Sequence, residues 1–245
     1  MDIINHHKIK IFLDRKVLEY NNGKFIANDP ICVPHRFSKQ QDIEIAGFFA
    51  ATLAWGNRTS IINNTNRILQ AMDNAPYDFL LHHEAVDLKK MLDIKHRTFN
   101  ATDLLYFIEF LTHHYKQHDS LEIAFCPPEK KIAISMKERL LFFHQTFFSI
   151  EHPTRTTKHV STPYKNSACK RLNMYLRWMV RKDTHGVDFG IWQKIKTKDL
   201  ICPSDVHVGN VAYRLGLIKE HKANWKTAVE LTEALRIFDA KDPVK

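Results

Sequence analysis

Only seven glycines and nine prolines punctuate the 245 residues of this chain, and that scarcity limits the fold more than any other feature. Gly and Pro end helices and shape hairpin turns, so a chain short of both has few places to break. Between the breaks, apolar residues recur three and four positions apart, the period of a helix with one buried face. The spacing predicts helices over Lys8 to Asn21, Ser38 to Trp55, Thr59 to Ala71, Tyr77 to His83, Ala85 to Met91, Asn100 to Gln117, Ser120 to Phe125, Ile132 to Phe148, Ala168 to Lys182, Ser204 to Leu215 and Asn224 to Phe238. The expected fold class is therefore all-α. Pro127-Pro128 and the stretch from Pro153 to Pro163 interrupt the pattern. They suggest one unit over residues 1–245 with two lobes, at about 38–150 and at 1–37 plus 151–245. Asn28 to Pro34 reads as an irregular or extended connection.

Composition excludes several classes. A hydrophobic fraction of 44% with 26% charged residues is ordinary for a globular protein. No apolar run approaches the roughly 20 residues of a membrane-spanning helix. The N-terminus mixes His6, His7, Lys8 and Lys10 with Ile and Phe and has no continuous apolar core, so no secretory signal is expected and the cytoplasm is the expected location. Cys32, Cys126, Cys169 and Cys202 stand singly, without the close pairing of zinc or iron-sulfur ligands, and read as reduced thiols. Fifteen histidines include His82-His83, His114 and His118-Asp119, the last two a helical turn apart. A turn's spacing permits shared coordination, but no further ligands are marked out, so no metal and no cofactor is assigned. Phe48, Phe49, Phe107, Phe110, Phe142, Phe143, Phe147 and Phe148 recur at helical spacing and are expected in the core.

The charge is concentrated. From Glu151 to Lys182 the sequence carries eight Lys or Arg against one acid, out of a net charge of +9 for the whole chain. A clustered excess favours a polyanion, with nucleic acid foremost. Within that stretch, Ala168, Leu172, Leu176 and Met179 form an inward stripe, whereas Lys170, Arg177 and Arg181 share another stripe expected to face outward. Phosphate contacts need such a row of cations, and each contact releases condensed counterions. The same pattern also suits a solvated surface. Lys170 falls in the first turn, where the helix dipole and Arg171 disfavour an ammonium, and a neutral amine is a nucleophile.

Downstream, Asp205 opens a second apolar helix in which Val208, Val211, Ala212 and Leu215 recur at helical spacing and Gly216 marks the end. Capping alone accounts for an Asp there. A catalytic carboxylate held beside a sugar needs the same rigid place, and position does not separate the two.

Pro203-Ser-Asp205-Val-His207-Val-Gly-Asn-Val-Ala-Tyr-Arg-Leu-Gly-Leu217 resembles the segment carrying the catalytic Asp of helix-hairpin-helix DNA glycosylases. In that superfamily a Lys at the start of the helix after the hairpin is the nucleophile of the bifunctional members, and Lys170 stands in the corresponding place. Ile45 to Ile61 resembles the superfamily's early helix and the turn that supplies a base wedge, which implies that role for Asn57 or Arg58. No Leu-Pro-Gly-Val-Gly hairpin precedes Lys170. Pro163-Tyr-Lys165-Asn166-Ser167 occupies its place, so the hairpin is atypical. The spacing from Lys170 to Asp205 is closest to that of the archaeal 8-oxoguanine glycosylases, and the inserted loop from Asp183 to Cys202 is expected to line a base pocket. The whole chain also resembles an uncharacterised bacterial protein family, in the blocks Lys170 to Arg181 and Val187 to Trp192.

The resemblance implies a two-lobed helix-hairpin-helix glycosylase-like fold and a monomeric base-excision enzyme with abasic-site lyase activity. Its partner would be double-stranded DNA containing a damaged base, with oxidised guanine as the analogy, and no membrane. Lys170 and Asp205 would be catalytic. Lys165, Asn166, Ser167, Arg171, Arg177, Arg181, Asn57 and Arg58 would hold DNA. Trp55, Trp178, Trp192 and His207 are the pocket candidates, since extruded bases are gripped by aromatic faces. Such an enzyme would be nucleoid-associated when bound. The rival expectation is a non-catalytic DNA-binding protein that keeps the fold.

Overall fold

The computed structural model describes residues 3–128, 133–182 and 184–245, with side chains from residue 6 onward. The expected helix start at Ile132 and loop start at Asp183 lie outside the described residues. Among those described the chain is helical, with isolated bridges but no strand. None of the helices is long and apolar enough to cross a membrane. The helices are α1 (Ile3–Tyr20), α2 (Gly23–Ile26), α3 (Gln40–Thr52), α4 (Arg58–Ala71), α5 (Pro76–His82), α6 (Ala101–Tyr115), α7 (Met136–Phe147), α8 (Lys170–Val180), α9 (Val206–Arg214) and α10 (Trp225–Arg236). The chain divides into two compact units, one of Met1–Ala27 with Thr162–Lys245 and the other of Asn28–Ser161.

In the Asn28–Ser161 unit, α3 is buried from Ile43 to Thr52, as expected of a helix apolar on every side. Phenylalanines from α3, α6 and α7 form the core around it. Phe48 stacks on Phe107 at 5.5 Å between ring centroids, and Phe110 meets Phe147 at 4.4 Å. Carboxylates are buried in this unit as well. Glu44 is fully buried and accepts hydrogen bonds from Tyr115 Oη (2.7 Å), Ser120 Oγ (2.6 Å), the Leu121 N–H (2.9 Å) and Gln40 Nε2 (3.0 Å). Four donors offset the desolvation that makes an isolated buried charge so costly. α7 starts at Met136 because Ser135 and Glu138 form a reciprocal capping box. Two expected α-helices are 3₁₀ segments instead, at Asp87–Met91 and Leu121–Phe125. The Asn28–Pro34 connection is also not extended. It carries 3₁₀ turns at Pro30–Cys32 and Pro34–Arg36, the first capped by Asp29.

In the other unit, Ile9, Ala212, Leu217, Ile218 and Leu231 join α1, α9 and α10. α8 buries Leu172, Leu176 and Met179 as the stripe requires. It begins at Lys170 rather than Ala168, because Cys169 takes the left-handed conformation (φ 49°). The loop after α8 folds back over the helix end: Phe189 N–H donates to Trp178 O (2.8 Å) and Trp192 N–H to Met179 O (2.9 Å). These bonds satisfy carbonyls that a helix terminus leaves open. Gly190 makes the return possible, since its φ is 58° and a Cβ there would lie 2.8 Å from Lys182 Cα.

Candidate active site

Two helix starts meet in the Met1–Ala27 and Thr162–Lys245 unit. Lys170 is the first residue of α8, and Asp205 is the N-cap of α9, its Oδ1 accepting the Val208 N–H at 2.9 Å. The other oxygen, Oδ2, accepts from Lys170 Nζ at 2.6 Å across 35 residues of sequence. The side chains keep 40% and 31% exposure, so the pair is open to solvent on one side. Burial alone would raise the Asp205 carboxyl. The hydrogen bonds from Lys170 and from the Val208 N–H outweigh it and hold the group below its ordinary value. The positive end of α9 acts in the same sense. An ionised carboxylate is thus fixed against the amine at neutral pH. Nearby Cys202 offers no rival nucleophile, because burial pushes its thiol up to about 11.

The remaining sequence candidates separate into three groups. Lys165 and Asn166 are exposed on the turn before α8, where Pro163–Lys165 makes a 3₁₀ turn and Asn166 is left-handed at φ 55°. Asn166 O accepts the Trp225 N–H at 3.1 Å, and Ser167 bridges to Asn224, so the turn is tied to the start of α10. Asn57 and Arg58 are exposed at the start of α4 in the other unit, where Asn57 Oδ1 accepts the Ser60 N–H at 3.1 Å. His207 is exposed in the first turn of α9.

A second group is partly or wholly buried. Arg181 is buried at 3% exposure. Its guanidinium donates to Asp188 Oδ2 and Asp242 Oδ2, both at 2.8 Å, and it does not stand in an outward cationic row. Arg177 Nε lies 3.3 Å from the same Asp188 carboxylate, and Arg171 is half-buried. Of the stripe read from helical spacing, Arg177 and Arg181 therefore turn towards acids that the spacing could not reveal, while the Lys170 side chain stays 40% exposed. Val211 departs in the other direction, for it was expected on the buried face of α9 and is 55% exposed.

The third group is aromatic. Trp178 and Trp192 are packed in the core, Trp192 edge-on to Tyr175 at 5.3 Å, and neither offers a free face. Trp55 is half-buried in the Asn28–Ser161 unit, edge-on to His96 at 5.0 Å and stacked on His159 at 5.9 Å. His159 Nε2 in turn lies 3.1 Å from the buried Asp103 carboxylate, which also accepts from Thr156 Oγ1 at 2.9 Å. Among the described residues no group of three or more His, Cys, Asp or Glu is placed to hold a metal ion.

A family model described as "Protein of unknown function (DUF2400)" matches residues 29–245, and the chain belongs to that family. No curated protein and no solved structure matches it.

Proposed function

We propose that this member of the DUF2400 family is a DNA glycosylase with abasic-site lyase activity, built on a two-lobed helix-hairpin-helix-like fold with an atypical hairpin. The observation that carries the reading is the 2.6 Å contact between Lys170 Nζ and Asp205 Oδ2 at two helix starts. An amine and a carboxylate held together on a partly exposed surface are what the chemistry needs. Transfer of one ammonium proton to Asp205 leaves a lone pair on Lys170, which attacks C1′ as the glycosidic bond breaks and the base departs with that bond's electrons. Asp205 passes that proton to the departing base, and the carboxylate so regenerated stabilises the positive charge that develops on the sugar. Ring opening then gives the Lys170 Schiff base from which strand cleavage proceeds.

The net charge of +9, with the exposed Lys165 beside the site, supports a nucleic-acid partner. Oxidised guanine remains the analogy for the damaged base. The test is borohydride reduction of the protein on duplex DNA containing 8-oxoguanine or an abasic site. A covalent adduct is expected, and Lys170→Gln abolishes it. A salt-sensitive gel shift with no adduct from any lesion refutes the enzyme and selects the non-catalytic binder.

A further inference from the structure

We infer that the outer face of α6, in the Asn28–Ser161 unit, is a docking surface for a second copy of this chain, which lies across it with its own α6 antiparallel. The family resemblance implies a monomer, so this face departs from that expectation. Neither Lys170 nor Asp205 takes part, and the inference is independent of the glycosylase reading.

The face combines apolar and charged lining. Leu88, Leu105, Ile108 and Ile150 line a groove of about 420 Å³, and α6 adds Glu109, His113 and its C-cap Lys116, all three exposed. Leu88 comes from the 3₁₀ segment Asp87–Met91, which packs on α6. The residues on either side of that segment, Val86 and Leu92, are more than half exposed. An apolar groove with open apolar side chains beside the segment that lines it favours coverage by another protein surface. A small-molecule site needs a few polar groups converging on one ligand. Here Glu109 and Lys116 stand seven residues apart, about 10 Å along the helix at 1.5 Å per residue, so they neither converge nor satisfy each other. Among the described residues neither side chain forms an ion pair or a hydrogen bond.

The order of the charges selects the partner. Leu105, Glu109, Thr112, His113 and Lys116 recur every three or four residues and so follow one stripe of α6. An acid at one end of a stripe and a base at the other are self-complementary across a two-fold axis, because reversal brings Glu109 of each copy against Lys116 of the other. The axis passes between Thr112 and His113, midway between the two charges, and the apolar linings of the two grooves cover one another. A parallel arrangement sets Glu109 against Glu109 and Lys116 against Lys116, and like charges exclude it. The two ion pairs fix register and direction, while the covered apolar area supplies the affinity.

The test is sedimentation velocity of the full chain over a concentration series, applied to the wild type, Glu109→Lys, Lys116→Glu and an equimolar mixture of the two variants. The wild type dimerises. Glu109→Lys alone sets two lysines face to face at each end of the interface, and Lys116→Glu alone sets two glutamates, so each raises the dimer dissociation constant about tenfold or more. In the mixture a chain of each kind meets the other with opposite charges at both ends, and the mixed dimer recovers the wild-type affinity. Both residues are at the surface, so the folded chain tolerates either reversal. A wild type that stays monomeric throughout the series, a dimer that neither single reversal weakens, or a mixture no more associated than its components overturns the proposal.

Discussion

Asp205 does two jobs that substitution can separate. As N-cap it accepts the Val208 N–H, and as ion-pair partner it holds Lys170. Asn caps helices as well as Asp does, so Asp205→Asn keeps the first job and loses the second. The pair is more than a third exposed on the lysine side, so its contribution is discounted for solvent screening to about 0.2–1 kcal/mol. At about 2–4 °C per kcal/mol for a chain of this size, the melting temperature falls by no more than about 4 °C. Asp205→Ala loses the cap as well, which adds about 1 kcal/mol and a second shift of similar size. Under the proposed glycosylase reading, excision behaves differently. Loss of a positioned proton acceptor and charge costs roughly 10²- to 10⁴-fold in rate, or about 3–5 kcal/mol, and both variants suffer it nearly equally. Melting curves and single-turnover excision measured together decide the matter. If the Asn variant loses activity only in proportion to stability, or if Asn and Ala differ in rate as they differ in melting temperature, Asp205 is a cap and nothing more. The pH dependence follows from the same group. Its carboxyl is held below the ordinary 3.8, so the stability it contributes is present above that pH and disappears as pH falls through the lower folded value. Wild type and Asp205→Asn therefore converge in stability at the acid end.

Burial lowers His114 from 6.5 to about 4, despite the contact of its Nε2 with Ser120 O at 3.0 Å. The unfolded chain takes up the proton first, so this group removes about 3 kcal/mol of stability as pH falls from 6.5 to 4. Urea unfolding across that range shows a shallower pH slope in His114→Gln, and an unchanged slope refutes the assignment. Arg181→Met strips the fully buried Asp188 of its closest counter-charge and destabilises by about 3–5 kcal/mol, less if Arg177 moves in to replace it. The salt slope of DNA binding by whatever remains folded is the same as wild type, and a slope reduced by about one would return Arg181 to the phosphate contacts. Gly190→Ala forces a Cβ onto the Lys182 backbone at φ 58° and lowers the denaturant midpoint by more than 1 kcal/mol of equivalent stability, whereas a neutral result contradicts the close approach.

The helices were legible because period and punctuation are local. The long apolar α3 and the start of α9 at Asp205 follow directly from residues within a few positions of each other. What escaped depends on pairs distant in sequence. Glu44 reads as a polar interruption of an apolar helix, and its four donors come partly from Tyr115, Ser120 and Leu121. Arg181 reads as a surface cation until Asp188 and Asp242 are brought against it. The 3₁₀ segment at Leu121–Phe125 carries the same apolar spacing as an α-helix over so short a run, so spacing cannot choose between them. A cavity of about 370 Å³ in the Met1–Ala27 and Thr162–Lys245 unit was invisible for the same reason, being lined from α1, α2, α8, α9, α10, residues between α8 and α9, and the chain from Phe238 on. Within the candidate site, the sequence marks Lys170 and Asp205 singly. Their convergence to 2.6 Å is a property of the fold.

The return of Phe189 and Trp192 onto the last carbonyls of α8 has a kinetic meaning. Phe189 and Trp192 are hydrogen-bonded to the end of α8, so their amides exchange with solvent in step with the last turn of that helix. The end of α8 is thereby held by the same chain that leads on towards Asp205, so fraying of that helix end and release of Phe189 and Trp192 are one event.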